Sequence, residues 1–320
     1  MPSETVSSED RATFIVGVPR SGTTLLVNLI GMHPRFAPIY ETRFVRNLLL
    51  HCEEVCWYWG NSLSRRLLSF FAEPWTRSRF ARRCEGYRKK VIAYDERSAD
   101  DASTHGRSDI PLGSQGILYT LEDLVRETDR WLDTVAAGPL SEGAVYGSAR
   151  HYIDTLFSIH CAQMTKPYWI NKTPGLLTYL HYLSKLFPYA KFIHILRDGR
   201  DVAVSTIATS WGVKTVSEAA RRWKNLLLTG RERANPALAP YMEVRYEDLV
   251  ESPAKVLQDL FDFLDLDGDI DDILSRVQIA RASVGNWKTK FSLEERRIFA
   301  REAGDLLITL GYEKDAAWVD

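Results

Sequence analysis

The sequence has no apolar stretch approaching the ~18 residues that a membrane-spanning helix requires. Its longest candidate, Thr24 to Met32, is broken at once by His33 and Pro34. It also lacks an excess of charge of either sign. Its 41 Lys and Arg residues nearly balance 42 Asp and Glu, so nothing in the bulk charge points to a nucleic acid or a membrane surface as partner, and any anion site must be local. Cysteine is scarce, with four residues at Cys52, Cys56, Cys84 and Cys161. None forms a C-x-x-C pair or carries the His spacing of a zinc site, so reduced thiols and a cytoplasmic compartment are expected. Cys52 and Cys56, one helical turn apart, read as neighbours on one helix face. Residues 1–11 have neither the basic n-region nor the apolar h-region of a secretory leader, and predict a flexible tail. No fixed-period repeat or low-complexity tract is present.

What remains is an ordinary globular chain of 320 residues, 45% hydrophobic, long enough to bury a large core as a single domain spanning 1–320. Thr13 to Val18 is a short β-rich apolar run, the mark of a buried parallel strand. A Gly-rich turn follows, then a segment from Thr23 with Leu25, Leu26, Leu29 and Ile30 at helical spacing, closed by Gly31 and Pro34. Further strands are expected at Phe36–Ile39, Tyr168–Asn171, Lys191–Leu196 and Tyr241–Arg245, each followed by a helix-compatible stretch. Pro253–Leu264 reads as an amphipathic helix opened by proline. The alternation predicts an α/β fold, a P-loop-like parallel sheet flanked by helices. A largely helical insertion at about 42–166 is expected to form a lid on the acceptor side. Within it, residues 95–116 are polar and read as a mobile loop.

Gly17 to Thr24, GVPRSGTT, has the G-x-x-x-x-G frame of a P-loop, with Thr23 where a nucleotide triphosphatase carries lysine. Loop amides and the following helix N-terminus still converge on a phosphate, while the Lys that reaches a γ-phosphate is gone. The same residues can be read as a Pro/Gly turn, since the bare frame recurs by chance. The strand before it, the helix after it and Arg20 inside it favour a phosphate site.

FIVGVPRSGTTLL resembles the 5'-phosphosulfate loop of the sulfotransferases, and the run through HPRFAPIYETRF is similar to their tyrosylprotein branch. The resemblance implies a transferase that moves the sulfuryl group of 3'-phosphoadenosine-5'-phosphosulfate (PAPS, leaving PAP) to an acceptor hydroxyl, with no metal. It implies that Arg20, Ser21, Gly22, Thr23 and Thr24 hold the 5' end. In KFIHILRDGRDVAVS, Arg197 and Ser205 match the family's 3'-phosphate residues. Arg200 is read equally well as a partner of Asp198 and Asp201. RASVGNWKTKF is similar to the family's C-terminal loop and puts Arg281 at the 3'-phosphate, with Ala282 and Asn286 replacing a Lys and an Asp of that loop. Trp287 is explained equally by core burial. Tyr246, in VRYEDLV, either donates to the 3'-phosphate or caps a strand end.

Sulfuryl transfer needs cations around the transferred oxygens and a proton acceptor for the nucleophile. Arg20, in the loop beside the 5'-phosphate, is placed to stabilise the bridging and equatorial oxygens, and Lys172, in WINKTP, matches the family's catalytic Lys. Glu41, 21 residues after Arg20, stands where the tyrosylprotein enzymes carry their catalytic Glu, and is also placed to meet the dipole of the helix that follows. No His accompanies Lys172 as in the cytosolic enzymes, and His181 reads as a packed or solvated helix residue. Arg43 keeps the family's position for an acidic peptide, whereas Tyr40 replaces an acidic residue. The tyrosylprotein enzymes are membrane-anchored, so a bacterial or cytosolic relative is implied. The acceptor is a peptide tyrosine, another phenol or a small-molecule alcohol. Two other readings compete: a small-molecule P-loop kinase, opposed by Thr23, and a non-catalytic nucleotide-binding module, opposed by the joint presence of Arg20, Glu41 and Lys172.

Overall fold

Short β-rich runs alternating with longer amphipathic ones should give strands backed by helices, and the computed structural model has that alternation. It describes residues 12–60, 82, 84–91, 119–137, 141–234, 239–279 and 283–319. The tail at 1–11, the loop at 95–116 and Arg281 fall outside them, as does the side chain of Arg43.

The chain begins with β1 (Ala12–Gly17), α1 (Thr23–Gly31), β2 (Phe36–Tyr40) and α2 (Arg43–Gly60). Residues 84–91 form α3, followed by α4 (Leu121–Ala137), α5 (Glu142–Met164), β3 (Tyr168–Lys172), a 3-10 segment at Pro174–Tyr179 and α6 (Leu180–Leu186). Then come β4 (Lys191–Leu196), α7 (Gly199–Ile207), α8 (Val216–Arg233), β5 (Tyr241–Arg245), α9 (Tyr246–Glu251) and α10 (Pro253–Leu264). The C-terminal elements are α11 (Ile270–Ser275), α12 (Trp287–Lys290), α13 (Leu293–Thr309) and a 3-10 turn at Ala316–Val319.

The strands form one five-stranded sheet in the order β2-β3-β1-β4-β5. β4 pairs in parallel with β1, Phe14 facing Phe192, and with β5, Ile195 facing Val244. The fold is α/β, as the sequence predicts. β1 is buried along its whole length, which explains why it reads as a continuous apolar run rather than an alternating one. Fully burying each of Phe14, Ile15 and Val16 contributes about 1.5–3 kcal/mol.

Two compact units divide the chain. The first comprises Met1–Ala12, Arg35–Trp169 and Tyr182–Tyr189; the second comprises Thr13–Pro34, Ile170–His181 and Ala190–Asp320. In the first, an aromatic cluster fixes the helices. Phe44 meets Tyr119, Tyr152 and Phe157 edge-on, and Phe157 in turn meets the Trp169 indole at 4.9 Å between ring centroids. Such edge-to-face contacts add to the area these rings bury. Ser141 caps α5 by accepting from the Ala144 amide. Cys52 and Cys56 share α2 as free thiols, and burial raises both, Cys56 to about 11. They are therefore protonated at neutral pH.

In the second unit, α13 starts with a reciprocal capping box between Ser292 and Glu295. Among the described residues no helix is long and apolar enough to cross a membrane.

Candidate functional site

In open α/β sheets, ligands collect beyond the carboxyl ends of the strands, where the strand order reverses. Here β1 lies between β3 and β4. The second unit places four predicted groups at such ends: Gly17–Thr24 after β1, Lys172 closing β3, Arg197 after β4 and Tyr246 after β5.

The loop after β1 takes its shape from two left-handed residues, Arg20 (φ 76) and Gly22 (φ 96). α1 then begins at Thr23, with no side-chain cap at its N-terminus and no acidic residue in its first turn. Its first amides and its dipole therefore favour an anion over a carboxylate of the protein's own. Ser21 and Thr23 are buried. Gly22 is glycine for a second reason: a Cβ there would lie 2.3 Å from the Tyr246 ring.

Arg197 is the hub. Its Nη1 donates to the Arg20 carbonyl at 2.8 Å, its Nη2 donates to the Ser283 carbonyl, and its guanidinium lies 4.4 Å from the centre of the Tyr246 ring. Its Nε is buried without a hydrogen-bond partner among the described residues. Arg20 in turn donates from Nε to the Ser205 hydroxyl at 2.9 Å. The structure thus joins Arg20, Gly22, Arg197, Ser205 and Tyr246 into one cluster of charge, hydroxyl and ring. Lys172 is 4% exposed at the end of β3, one strand over from β1. Beside it, Thr173 donates to the Asn171 side chain at 3.0 Å.

Glu41 belongs to the first unit, at the carboxyl end of β2, and takes a left-handed backbone (φ 52) just before α2. A non-glycine residue is held there only by its surroundings. Arg43 opens α2, and Arg281 lies outside the described residues. His181 sits half-buried in α6.

The supports of the cluster were not singled out from the sequence. Glu247 accepts from the Asp198 amide at 2.9 Å and from the Tyr312 hydroxyl at 3.3 Å, and burial raises its pKa. Asp198 caps α7 and chelates Arg200, which also donates to Glu313. The Arg200 guanidinium packs against Trp287, 3.8 Å away, and Trp318, 4.5 Å away, two indoles set edge to face. Arg200 is thus the structural ion-pair residue that the RDGRD pattern allows, with Asp198 and not Asp201 as its partner.

Two phosphate-sized anions suit this donor set. The donor set has two poles, the uncapped α1 amides and the Arg197 guanidinium with the Ser205 hydroxyl, and charge-assisted donors of this kind favour phosphate-like dianions. A buried guanidinium Nε with no acceptor among the described residues fits a ligand oxygen better than a closed protein core.

Residues 12–272 match the model of the sulfotransferase family. Protein-tyrosine sulfotransferase 1 of Danio rerio is 26% identical over 259 residues, covering 79% of this chain and 52% of that protein. Nodulation protein NoeE of Sinorhizobium fredii is 26% identical over 370 aligned positions, covering 99% of this chain and 71% of that protein. The chain therefore spans about half the length of the Danio relative. Among solved structures, a sulfotransferase domain from a Synechococcus olefin synthase is 21% identical with a TM-score of 0.48, covering 91% of this chain and 93% of that one. With its match running over residues 12–272, most of its length, the chain belongs to the sulfotransferase family.

Proposed function

We propose that this protein transfers the sulfuryl group of PAPS to an acceptor hydroxyl. The observation that carries the reading is the joining of Arg20, Arg197, Ser205 and Tyr246 around a glycine loop that lacks the lysine of a triphosphatase. In this reading Arg20, Ser21, Gly22, Thr23 and Thr24 hold the 5' end through amides, hydroxyls and one guanidinium. Arg197, Ser205, Tyr246 and Arg281 hold the 3'-phosphate.

When bound, PAPS supplies a sulfuryl group on a phosphate leaving group. Lys172 donates a hydrogen bond to the leaving oxygen, and Arg20 offsets charge on the transferred oxygens. Glu41 accepts the proton of the acceptor hydroxyl as the acceptor oxygen bonds to sulfur and the bond from sulfur to the 5'-phosphate oxygen breaks, releasing PAP. The relatives include one named for a protein tyrosine and, from Mycobacterium bovis, one named for an omega-hydroxy-menaquinone. A hydroxyl is the common chemistry, and a tyrosine, another phenol or an aliphatic alcohol is the acceptor class here. Residues 42–166, with Arg43 at the head of α2, carry that choice.

Calorimetric titration with PAP, beside ATP with magnesium, tests the reading. Micromolar binding of PAP alone is expected. Binding of ATP with magnesium and not PAP would replace the sulfotransferase with a small-molecule kinase.

A further inference from the structure

Asp201 is the third residue of α7, a place where an acidic side chain ordinarily serves its own helix. The N-cap here is Asp198, which accepts from the Arg200 amide. The Asp201 carboxylate instead reaches far along the chain, accepting from the Gly285 amide at 2.7 Å and the Trp287 amide at 3.0 Å. Gly285 adopts a left-handed backbone (φ 77), the turn that lets two amides so close in sequence face one carboxylate. The same loop receives a bond from Arg197 at the Ser283 carbonyl, and Trp287 covers the Arg200 guanidinium. Three bonds thus tie residues 283–287 to the turn that carries Arg197. This loop lies beyond the residues matched by the family model, which end at 272.

We propose that Asp201 is a positioning residue of the donor site: it holds the 283–287 loop against the β4–α7 turn, so that the Ser283 carbonyl keeps the Arg197 guanidinium in place. The inference rests on the PAPS reading above. Asp201 is 2% exposed, so its loss leaves two amides without their acceptor, and the loop must move to find water. Arg197 then keeps the Arg20 carbonyl and the Tyr246 ring but loses its third anchor. Of the groups assigned to the transfer step, Arg20 meets this network through its backbone carbonyl, while the three bonds to the loop are made by Arg197 and Asp201 alone. The effect should therefore fall on donor affinity and spare turnover at saturating donor.

The test compares wild type, Asp201→Asn and Asp201→Ala in three measurements: PAP affinity, steady-state kinetics with donor and acceptor varied separately, and amide exchange at Gly285 and Trp287. Asn retains one acceptor oxygen and guards against simple misfolding. Leu257→Ala, a core truncation in α10 remote from the loop in sequence, controls for a lowered Tm. The expected result is faster exchange at both amides with PAP binding and donor KM weakened about tenfold in Asp201→Ala and less in Asp201→Asn. Acceptor KM and kcat should stay within about twofold, and Leu257→Ala should bind PAP normally. If both Asp201 variants bind PAP as tightly as wild type, the positioning role is overturned while the donor reading stands. If wild type itself fails to bind PAP, both fall together.

Discussion

The ring of Tyr246 stands where a side chain on Gly22 would have to go, with Cδ2 only 2.3 Å from the position of that absent Cβ. The glycine loop and the residue after β5 are thus fitted to each other by one missing methyl group. Gly22→Ala meets both this clash and a left-handed backbone, which costs a residue with a Cβ about 1–2 kcal/mol. Urea unfolding should show at least that loss, and PAP affinity should fall with it. Tyr246→Ala in the same chain should recover the part due to the clash, a coupling that a double-mutant cycle measures. Tyr246→Phe keeps the ring and tests the hydroxyl separately; weaker PAP binding at unchanged stability would place the hydroxyl on the donor.

Replacing the proposed catalytic groups should separate chemistry from binding. Lys172→Ala and Glu41→Gln are expected to lower turnover about 10²-fold or more with PAP affinity nearly unchanged, whereas Arg197→Ala should mainly weaken PAP. Single-turnover assays beside calorimetry read the two effects. Full turnover in Glu41→Gln would remove that residue from the role of base.

Arg200 should matter to stability more than to chemistry. Its guanidinium is 2% exposed, chelated by Asp198, bonded to Glu313 and enclosed by two indoles. Arg200→Ala leaves the buried Asp198 carboxylate without its counter-charge, a change that costs about 3–5 kcal/mol. Arg200→Lys should also destabilise, because an ammonium cannot chelate a carboxylate and lie flat against an indole at once. Denaturant midpoints of both variants check this.

Acid should loosen the second unit in two steps. His194 is fully buried in β4, its Nδ1 2.6 Å from the Tyr241 hydroxyl and 3.3 Å from Glu243, and burial lowers its pKa despite that carboxylate. Arg231, which chelates Glu243, is the other charged group facing it. Below the ordinary value of 6.5 the unfolded chain binds a proton that folded His194 resists, so stability falls as pH drops from there. Burial pushes the Glu243 carboxyl up, but bonds from His194 and Arg231 outweigh it and hold the group at about 2. Its contribution is present above 4.5 and lost as pH falls toward 2. Unfolding midpoints between pH 7 and 3 should decline in both windows, and His194→Gln should flatten the upper one.

β1 was legible as an apolar run closed by a glycine turn, and β3 and β4 fall on the expected segments to within a residue, whereas β5 carries Glu243 and Arg245 and passes straight into α9. The glycine loop was legible because its glycines, proline and hydroxyls are adjacent in the chain. Asp201, Glu247 and Glu313 were not, since each acts on a residue roughly 50 to 110 positions away, a distance at which no periodicity or spacing carries information.

The sequence by itself determined the α/β class, the family and the phosphate-loop frame, because local propensity, hydrophobic period and turn chemistry act over a few residues. It also determined that Thr23 replaces the triphosphatase lysine. Only the tertiary structure decided that Arg197 bonds to the Arg20 and Ser283 carbonyls rather than to neighbouring carboxylates, that Tyr246 fills the space over Gly22, and that Asp201 serves a loop beyond the family match. Those outcomes depend on which strand ends the sheet order β2-β3-β1-β4-β5 brings side by side, since burial there drives polar groups distant in sequence to pair with one another.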